Sequence, residues 1–263
     1  MSTPGERRQQ IIRDIDTLDN NIVPRLSRKY GVSEMTIRRD LKALEATGQI
    51  KRTYGGAVRW PPAGSEGPLL ARDKRQTLAL PQKMQIARYA AEHFVGTGDI
   101  VILEGGTTAT AMAGFLADKD DLTVVTNGLA TAEELRRHLP LSATIITAGG
   151  ILRPESLTSV GPVTERFFRE YHAHRLFLSA TGITLNEGIT DPRMLEIQVK
   201  RAMIQSAHEV IMLLDSTKFG VRSLMKVIDF DEMHCIITDT GVPEPLLNEL
   251  RERGVDVIVA PNP

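Results

Sequence analysis

The sequence holds one cysteine, Cys235, in 263 residues. That excludes a disulfide framework and a cysteine-based zinc site, and its place inside the apolar run "HCIIT" marks a buried structural thiol rather than a nucleophile. Long apolar runs are also missing: none approaches the roughly 20 residues that a membrane span needs. The opening "MSTPGERRQQ" contains no apolar signal region, so the expectation is a cytoplasmic protein with no membrane anchor. Metal-binding patterns are equally thin. His172 and His174 in "YHAH" have no further histidine, cysteine or carboxylate cluster in register, and no metal site is expected. The chain has no internal repeat and no low-complexity tract.

What remains is an ordinary globular composition, 41% apolar and 25% charged. It leaves room for two domains, a small one and one of about 190 residues. Charge separates them. Residues 1–60 carry 12 Lys+Arg against 7 Asp+Glu, a net of +5, whereas residues 61–263 carry 20 against 26, a net of −6. Between them "RWPPAGSEGPLLARDKRQ" has clustered proline and glycine and no periodicity, which reads as a linker over 61–75. The expected organisation is a basic module over 1–60, that linker, and a second domain over 76–263.

The basic module centres on "VSEMTIRRDLKALEATGQIKRTYGGA". Ser33 is a good helix N-cap, because its hydroxyl can accept from an unpaired first-turn amide, and Glu34 suits the positive end of the helix dipole. At about 100° per residue, Ile37, Leu41 and Leu44 fall within one sector and form the buried stripe. Met35, Arg38, Arg39 and Lys42 lie opposite. Gly48 suits a helix stop. "QIKRTYGGAVRW" then reads as a hairpin from Ile50 to Tyr54 that turns at Gly55-Gly56 and returns through Ala57 and Val58. Upstream, Ile11, Ile12, Ile15 and Leu18 are at helical spacing, as are Val23, Leu26 and Tyr30, with Pro24 near the start of the second helix. Two helices, a four-residue turn, a third helix and a hairpin make a winged helix-turn-helix. Its cations can neutralise phosphates and reach base edges in the major groove of double-stranded operator DNA. The expected DNA-facing set is Ser33, Met35, Thr36, Arg38, Arg39 and Lys42 on the helix, with Lys51, Arg52, Tyr54, Gly55 and Gly56 in the wing.

"RKYGVSEMTIRRDLKALEATGQIKRTYGGAV" closely resembles the N-terminal signature of the DeoR-type bacterial transcription regulators. The shared pattern runs from an apolar residue and Ser through Thr-Ile-Arg-Arg-Asp-Leu and Leu-Glu to a basic residue before Gly-Gly-Ala.

The second domain alternates short β-branched runs with helical stretches. The runs are "DIVILE", "LTVVTN", "ATIITAG", "RLFLSAT", "EVIMLLD", "CIITD" and "DVIVA". Strands buried on both faces with helices between them imply an α/β domain with a mostly parallel sheet. In such a sheet ligands bind at the carboxyl ends of strands. In "ILEGGTTAT" the amides of Gly106, Thr107 and Thr108 could hold an anion at a helix N-terminus, or could form an ordinary strand-to-helix turn. It is not a Walker loop. Thr126 and Asn127 end the next strand, Gly149 and Gly150 the third with Arg153 close by, and Asp215 and Lys218 follow a later one as a carboxylate and an ammonium.

Taken in order, these loops are also similar to those of the DeoR-type regulators, whose effector domain is like ribose-5-phosphate isomerase and binds phosphorylated sugars or related metabolites. The resemblance implies an effector site of Gly105, Gly106, Thr107, Thr108, Thr126, Asn127, Gly150, Asp215 and Lys218, with Arg153 beside it. The chain departs from the family's pattern at His174-Arg175 and at Glu104. The resemblance implies a repressor of a carbohydrate operon that binds a small-molecule effector, with no cofactor expected. Helix-turn-helix proteins often bind paired half-sites as symmetric dimers, so a homodimer or higher oligomer is expected. The competing expectation is a sugar-phosphate isomerase with Asp215, Glu187 or Asp191 as base and Lys218 for charge stabilisation. A fused DNA-binding module weighs against it.

Overall fold

The structure, a computed structural model, describes residues 7, 8, 10, 11, 14, 22–46, 50–53, 56–59 and 72–262. The chain divides into two compact units, Met1–Gly67 and Pro68–Pro263.

In the first unit, α1 (Ile22–Tyr30) and α2 (Glu34–Ala46) are followed by β1 (Ile50–Thr53) and β2 (Gly56–Arg59). Residues 7, 8, 10, 11 and 14 are also helical. Ile11, Leu26, Ile37, Leu41 and Leu44 form the buried core, so the stripe read from the helical period faces inward. The turn between α1 and α2 is one residue shorter than expected, Gly31 to Ser33. Gly31 makes it possible with a φ of +63°, a conformation that a side chain would strain. A second difference lies in the hairpin. Thr53 pairs directly with Gly56, so Gly56 belongs to the return strand rather than to the turn. Two adjacent glycines fit the turn template in either frame, and only the strand register decides between them. Gly48, Ile12, Ile15, Leu18, Tyr54 and Gly55 lie outside the described residues.

The second unit opens with α3 (Arg72–Thr77) and α4 (Leu80–Phe94), so regular structure begins inside the stretch expected as linker over 61–75. Arg72 explains the difference. Its side chain is buried and donates to Gly105 O at 2.8 Å and Thr110 Oγ1 at 2.9 Å, anchoring the segment. The chain continues through β3 (Ile100–Leu103), α5 (Thr107–Ala111), β4 (Thr123–Thr126), α6 (Leu129–His138) and β5 (Thr144–Thr147). Next come β6 (Ile151–Arg153), β7 (Thr158–Val160), α7 (Pro162–Arg169), β8 (Ala173–Leu178), β9 (Gly182–Thr184) and β10 (Gly188–Asp191). It ends with α8 (Met194–Gln205), β11 (Ala207–Leu213), β12 (Met225–Ile228), β13 (Cys235–Thr238), α9 (Glu244–Glu252) and β14 (Val257–Val259).

The seven apolar runs are the seven strands of one sheet, in the order β14-β13-β11-β8-β3-β4-β5. Every pairing in it is parallel. Side chains alternate between two cores, as the period-2 geometry of a strand requires. Ile102, Leu176, Met212 and Ile236 face one core with Phe168 of α7 and Ile197 and Met203 of α8. Val101, Leu103, Phe177, Ile211 and Ile237 face the other, with Ile86 and Ala90 of α4 and Leu135 of α6. Cys235 is in that second core, and its burial raises the thiol pKa to about 12. Two small antiparallel sheets, β6-β7 and β12-β10-β9, accompany the main one.

The chain winds outward from β3 to β4 and β5, then returns to lay β8 on the other side of β3. The strand order therefore reverses between β3 and β8. In open α/β sheets that reversal leaves a crevice outside the strands' carboxyl ends.

Candidate DNA interface and effector crevice

Helix α2 begins as its capping chemistry dictates. Ser33 Oγ accepts from the Thr36 amide at 3.2 Å and lies 2.9 Å from Thr36 Oγ1, so Ser33 and Thr36 are spent largely on the cap. Met35 is 70% exposed. Arg38, Arg39 and Lys42 are exposed on the same side. Arg38 has only a loose ion pair with Glu34 at 3.8 Å, and among the described residues Arg39 and Lys42 have none. Asp40, the third residue of "RRD", points the other way. It is 2% exposed and accepts from Arg7 Nε at 2.7 Å and Arg8 Nε at 2.9 Å, tying α2 to the first helical segment. The backbone of Lys51, Arg52 and Gly56 is in the β1-β2 hairpin that follows.

In the second unit the expected effector loops are held together at the reversal point. The Gly105 amide donates to Asn127 Oδ1 at 3.0 Å, and Asn127 Nδ2 donates to Ser159 O at 3.1 Å. Thr126 Oγ1 accepts from the Gly128 amide. A Cβ on Gly105 would stand 2.4 Å from Thr158 Cγ2, and one on Gly106 2.0 Å from Ser179 Oγ, so both positions exclude side chains. The turn into α5 differs from an open anion cradle. The Gly106 amide already donates to Glu104 Oε2 at 2.8 Å, a resident carboxylate at the helix N-terminus, and Thr108 is buried. Thr107 is partly exposed there.

The other positions are spread along the rim. Gly150 has a φ of +141°, and a Cβ there would meet Thr164 Oγ1 at 2.1 Å. Arg153 pairs with Glu155 at 3.1 Å and Glu196 at 3.4 Å. Asp215 is buried, caps the short 3-10 turn Ser216–Lys218 and accepts from the Thr217 amide and hydroxyl. Lys218 is partly buried with no ion pair among the described residues.

The most tightly tied group at the reversal is one that sequence reasoning did not single out. Lys200 of α8 is buried, donates to the Asp191 carboxylate and to Ser179 O at 2.7 Å, and stands 4.0 Å from Glu104 Oε1. Ser179 Oγ donates in turn to Glu104 Oε2 at 3.0 Å, and the Thr181 amide donates to Asp191 Oδ1 at 2.7 Å. Burial disfavours the ammonium, but the charges of Asp191 and Glu104 outweigh it and raise the Lys200 pKa above the ordinary lysine value. Burial lowers that of Arg72. A signal for Lys200 did exist: it sits three residues from Ile197 and from Met203, on the buried stripe of α8, where a charge needs a partner. Ser179 and Arg72 carried none.

Residues 7–61 match the DeoR-like helix-turn-helix domain and residues 79–240 the DeoR C-terminal sensor domain. The chain belongs to the DeoR family. Its relatives include the HTH-type transcriptional regulator GolR of Listeria innocua, 35% identical over 98% of this chain and 99% of that one. A putative aga operon transcriptional repressor of Escherichia coli O157:H7 is 35% identical over 97% and 93%. Among solved structures, ribose 5-phosphate isomerase from Plasmodium falciparum aligns over 54% of each chain at 14% identity, with a TM-score of 0.39.

As a DeoR-family chain the protein is a DNA-binding transcription regulator with a small-molecule sensor domain, not an enzyme. The carboxylates that an isomerase would use as base are engaged separately: Asp191 with Lys200, Asp215 with Thr217, and Glu187 with Arg222 at 3.2 Å. The departures from the family's usual pattern are also accounted for. His174 Nδ1 lies 3.1 Å from Asp99, and Arg175 bridges Asp99 at 2.9 Å and Glu209 at 2.8 Å. Glu104 is part of the Lys200 network.

Proposed function

We propose that this regulator is a cytoplasmic repressor of a carbohydrate operon, binding paired operator half-sites as a homodimer and releasing or tightening them when a phosphorylated sugar occupies the crevice between β3 and β8. The observation that carries the reading is the set of charged groups at the strand reversal: Lys200, Asp191, Glu104 and Arg72 converge on loops that follow β3 and β8. Carboxylates and an ammonium in a crevice suit the hydroxyls and charge of a sugar phosphate. Exposed cations on α2 suit the phosphates of a duplex, and helix-turn-helix dimers match the two-fold symmetry of paired half-sites.

Linkage supplies the mechanism. An effector shifts operator affinity only by the difference in its own affinity between the DNA-competent and incompetent arrangements. The test is a thermal-shift screen of the full chain against phosphorylated sugars, followed by operator titrations with each hit. A ligand at 100 times its Kd stabilises by about 2.7 kcal/mol, well within detection. If no phosphorylated sugar shifts the melting temperature or the operator affinity, the effector reading fails.

A further inference from the structure

Beside the Lys200 network, two guanidinium groups have incomplete hydrogen bonding. Arg193, the N-cap residue of α8, is 8% exposed and donates from Nη1 to Glu196 Oε1 at 3.3 Å. Its Nε and Nη2 are buried with no partner among the described residues. Arg153 approaches the same Glu196 oxygen with Nε at 3.4 Å, but that nitrogen too is buried without a hydrogen bond. Two permanent cations thus meet on one carboxylate oxygen, and three nitrogen donors are left over. A buried donor without an acceptor costs about 1–3 kcal/mol, and an arginine cannot relieve it by losing a proton. Water could satisfy a donor or two. Among the described residues, the second charge is balanced only by way of Glu155, which Arg153 reaches with Nη2 at 3.1 Å and which is 53% exposed, so solvent screens it more than the 15% exposed Glu196.

An acceptor with several oxygens and two negative charges would take up these donors together and bring counter-charge inside. The loop after β3 is the poorer place for it, because the Gly105 and Gly106 amides already donate to Asn127 and Glu104. We propose that Arg193 and Arg153 receive the dianionic phosphoryl group of a phosphate monoester, and that Glu196 is the internal anion with which that group competes. The inference rests on the phosphorylated-effector reading above and names the side chains that take the phosphate. Arginine suits the role, since its planar fork matches phosphate oxygens two at a time.

Calorimetric titration of the full chain with inorganic phosphate and with ribose 5-phosphate tests it, with ribose as the uncharged control. Arg193→Gln should weaken both phosphate-bearing probes about 10- to 100-fold, the loss expected for charge-assisted hydrogen bonds, and Arg193→Lys should weaken them less. Glu196→Gln should tighten them several-fold by removing the competitor, an effect that a purely structural carboxylate would not produce. It also decides the matter if the Arg193 variants fail to fold. Wild-type affinity in a folded Arg193→Gln, or weakened binding in Glu196→Gln, overturns the subsite while leaving the effector reading intact. Phosphate binding that depends on Arg193, with no phosphorylated sugar binding more tightly than phosphate, keeps the subsite and sinks the sugar. No binding of any phosphate-bearing probe to wild type overturns both.

Discussion

The cations of α2 and those around the sensor's strand reversal are treated in opposite ways. On α2, Arg38, Arg39 and Lys42 stand exposed with at most a loose partner, whereas Arg72, Arg193 and Lys200 of the sensor are 4%, 8% and 6% exposed. Solvated cations cost the fold little and wait for a partner that brings its own dense anions. Buried cations are tolerated only where the protein or a ligand supplies the counter-charge. The first arrangement suits a polyanion. The second is the arrangement that the proposed effector would exploit, because a carboxylate and a ligand anion can compete for one cation at low dielectric. Substitutions that test the contrast should fall in order of their effect on folding stability.

The largest effect is expected at Lys200. Lys200→Met leaves the buried carboxylates of Asp191 and Glu104 without their ammonium, and breaking a buried pair in this way costs about 3–5 kcal/mol. Urea denaturation should show the loss in the sensor unit. The pH dependence follows from the raised pKa of Lys200. A raised value means that its contribution is fully present below the unfolded-state lysine pKa of about 10.4 and is lost only as pH climbs beyond it. Stability that fell instead between pH 7 and 9 would assign the wrong protonation state to the cluster.

Asp40 breaks the contrast from the other side, since with Arg7 it forms a buried ion pair in the same unit as the exposed cations of α2. Asp40→Asn removes the counter-charge of Arg7 and Arg8 and should cost about 3 kcal/mol. Operator binding should disappear with the fold of the first unit. Calorimetry should show its melting transition lowered and that of the sensor unchanged; a shared shift would mean that the units do not melt independently.

These two residues also show what the amino-acid pattern reveals. The seven sheet strands are legible because β-branched runs buried on both faces leave an uninterrupted apolar signature, and α2 because its stripe and Ser33 cap follow a fixed period. Strands β6, β7 and β9 are as short as β14 but read "ILR", "TSV" and "GIT", without the uninterrupted apolar run that marks β14. The exposed face of Arg38, Arg39 and Lys42 follows from helix geometry alone. The Lys200 network does not, since Glu104, Ser179, Asp191 and Lys200 come from four segments that only the strand reversal brings together. Asn127 follows β4 at the carboxyl edge of the sheet, where its amide braces loops, a role that spacing cannot distinguish from ligand contact.

Lys218 is a sensor cation with no ion pair among the described residues, like Arg39 and Lys42, although it is partly buried where they are exposed. Lys218→Ala should therefore change stability by no more than about 0.5 kcal/mol. If its ammonium serves the effector, calorimetry will show affinity reduced several-fold with ligand-free operator binding intact. Unchanged effector affinity would move Lys218 out of the crevice.

The smallest effect on the fold, and the sharpest on function, is expected at Arg38 and Arg39. Arg38 and Glu34 are both more than half exposed, 57% and 51%, and 3.8 Å apart, so losing their pair should be barely measurable. Arg39 has no ion pair to lose. Alanine at either position should leave the melting temperature of the full chain nearly unchanged. Operator binding should respond in one of two ways, and salt separates them. An arginine that reads a base edge contributes about 1–3 kcal/mol of discrimination, so its loss relaxes specificity at one operator position. An arginine on a backbone phosphate reads nothing, so its loss weakens all sequences alike and lowers the slope of log K against log salt by about one. Titrations of wild type, Arg38→Ala and Arg39→Ala against operator and scrambled duplex over a range of salt concentrations give both quantities. If both variants bind as wild type at every salt concentration, the exposed face of α2 is not the DNA face, and the contrast between solvated and buried cations loses its functional meaning.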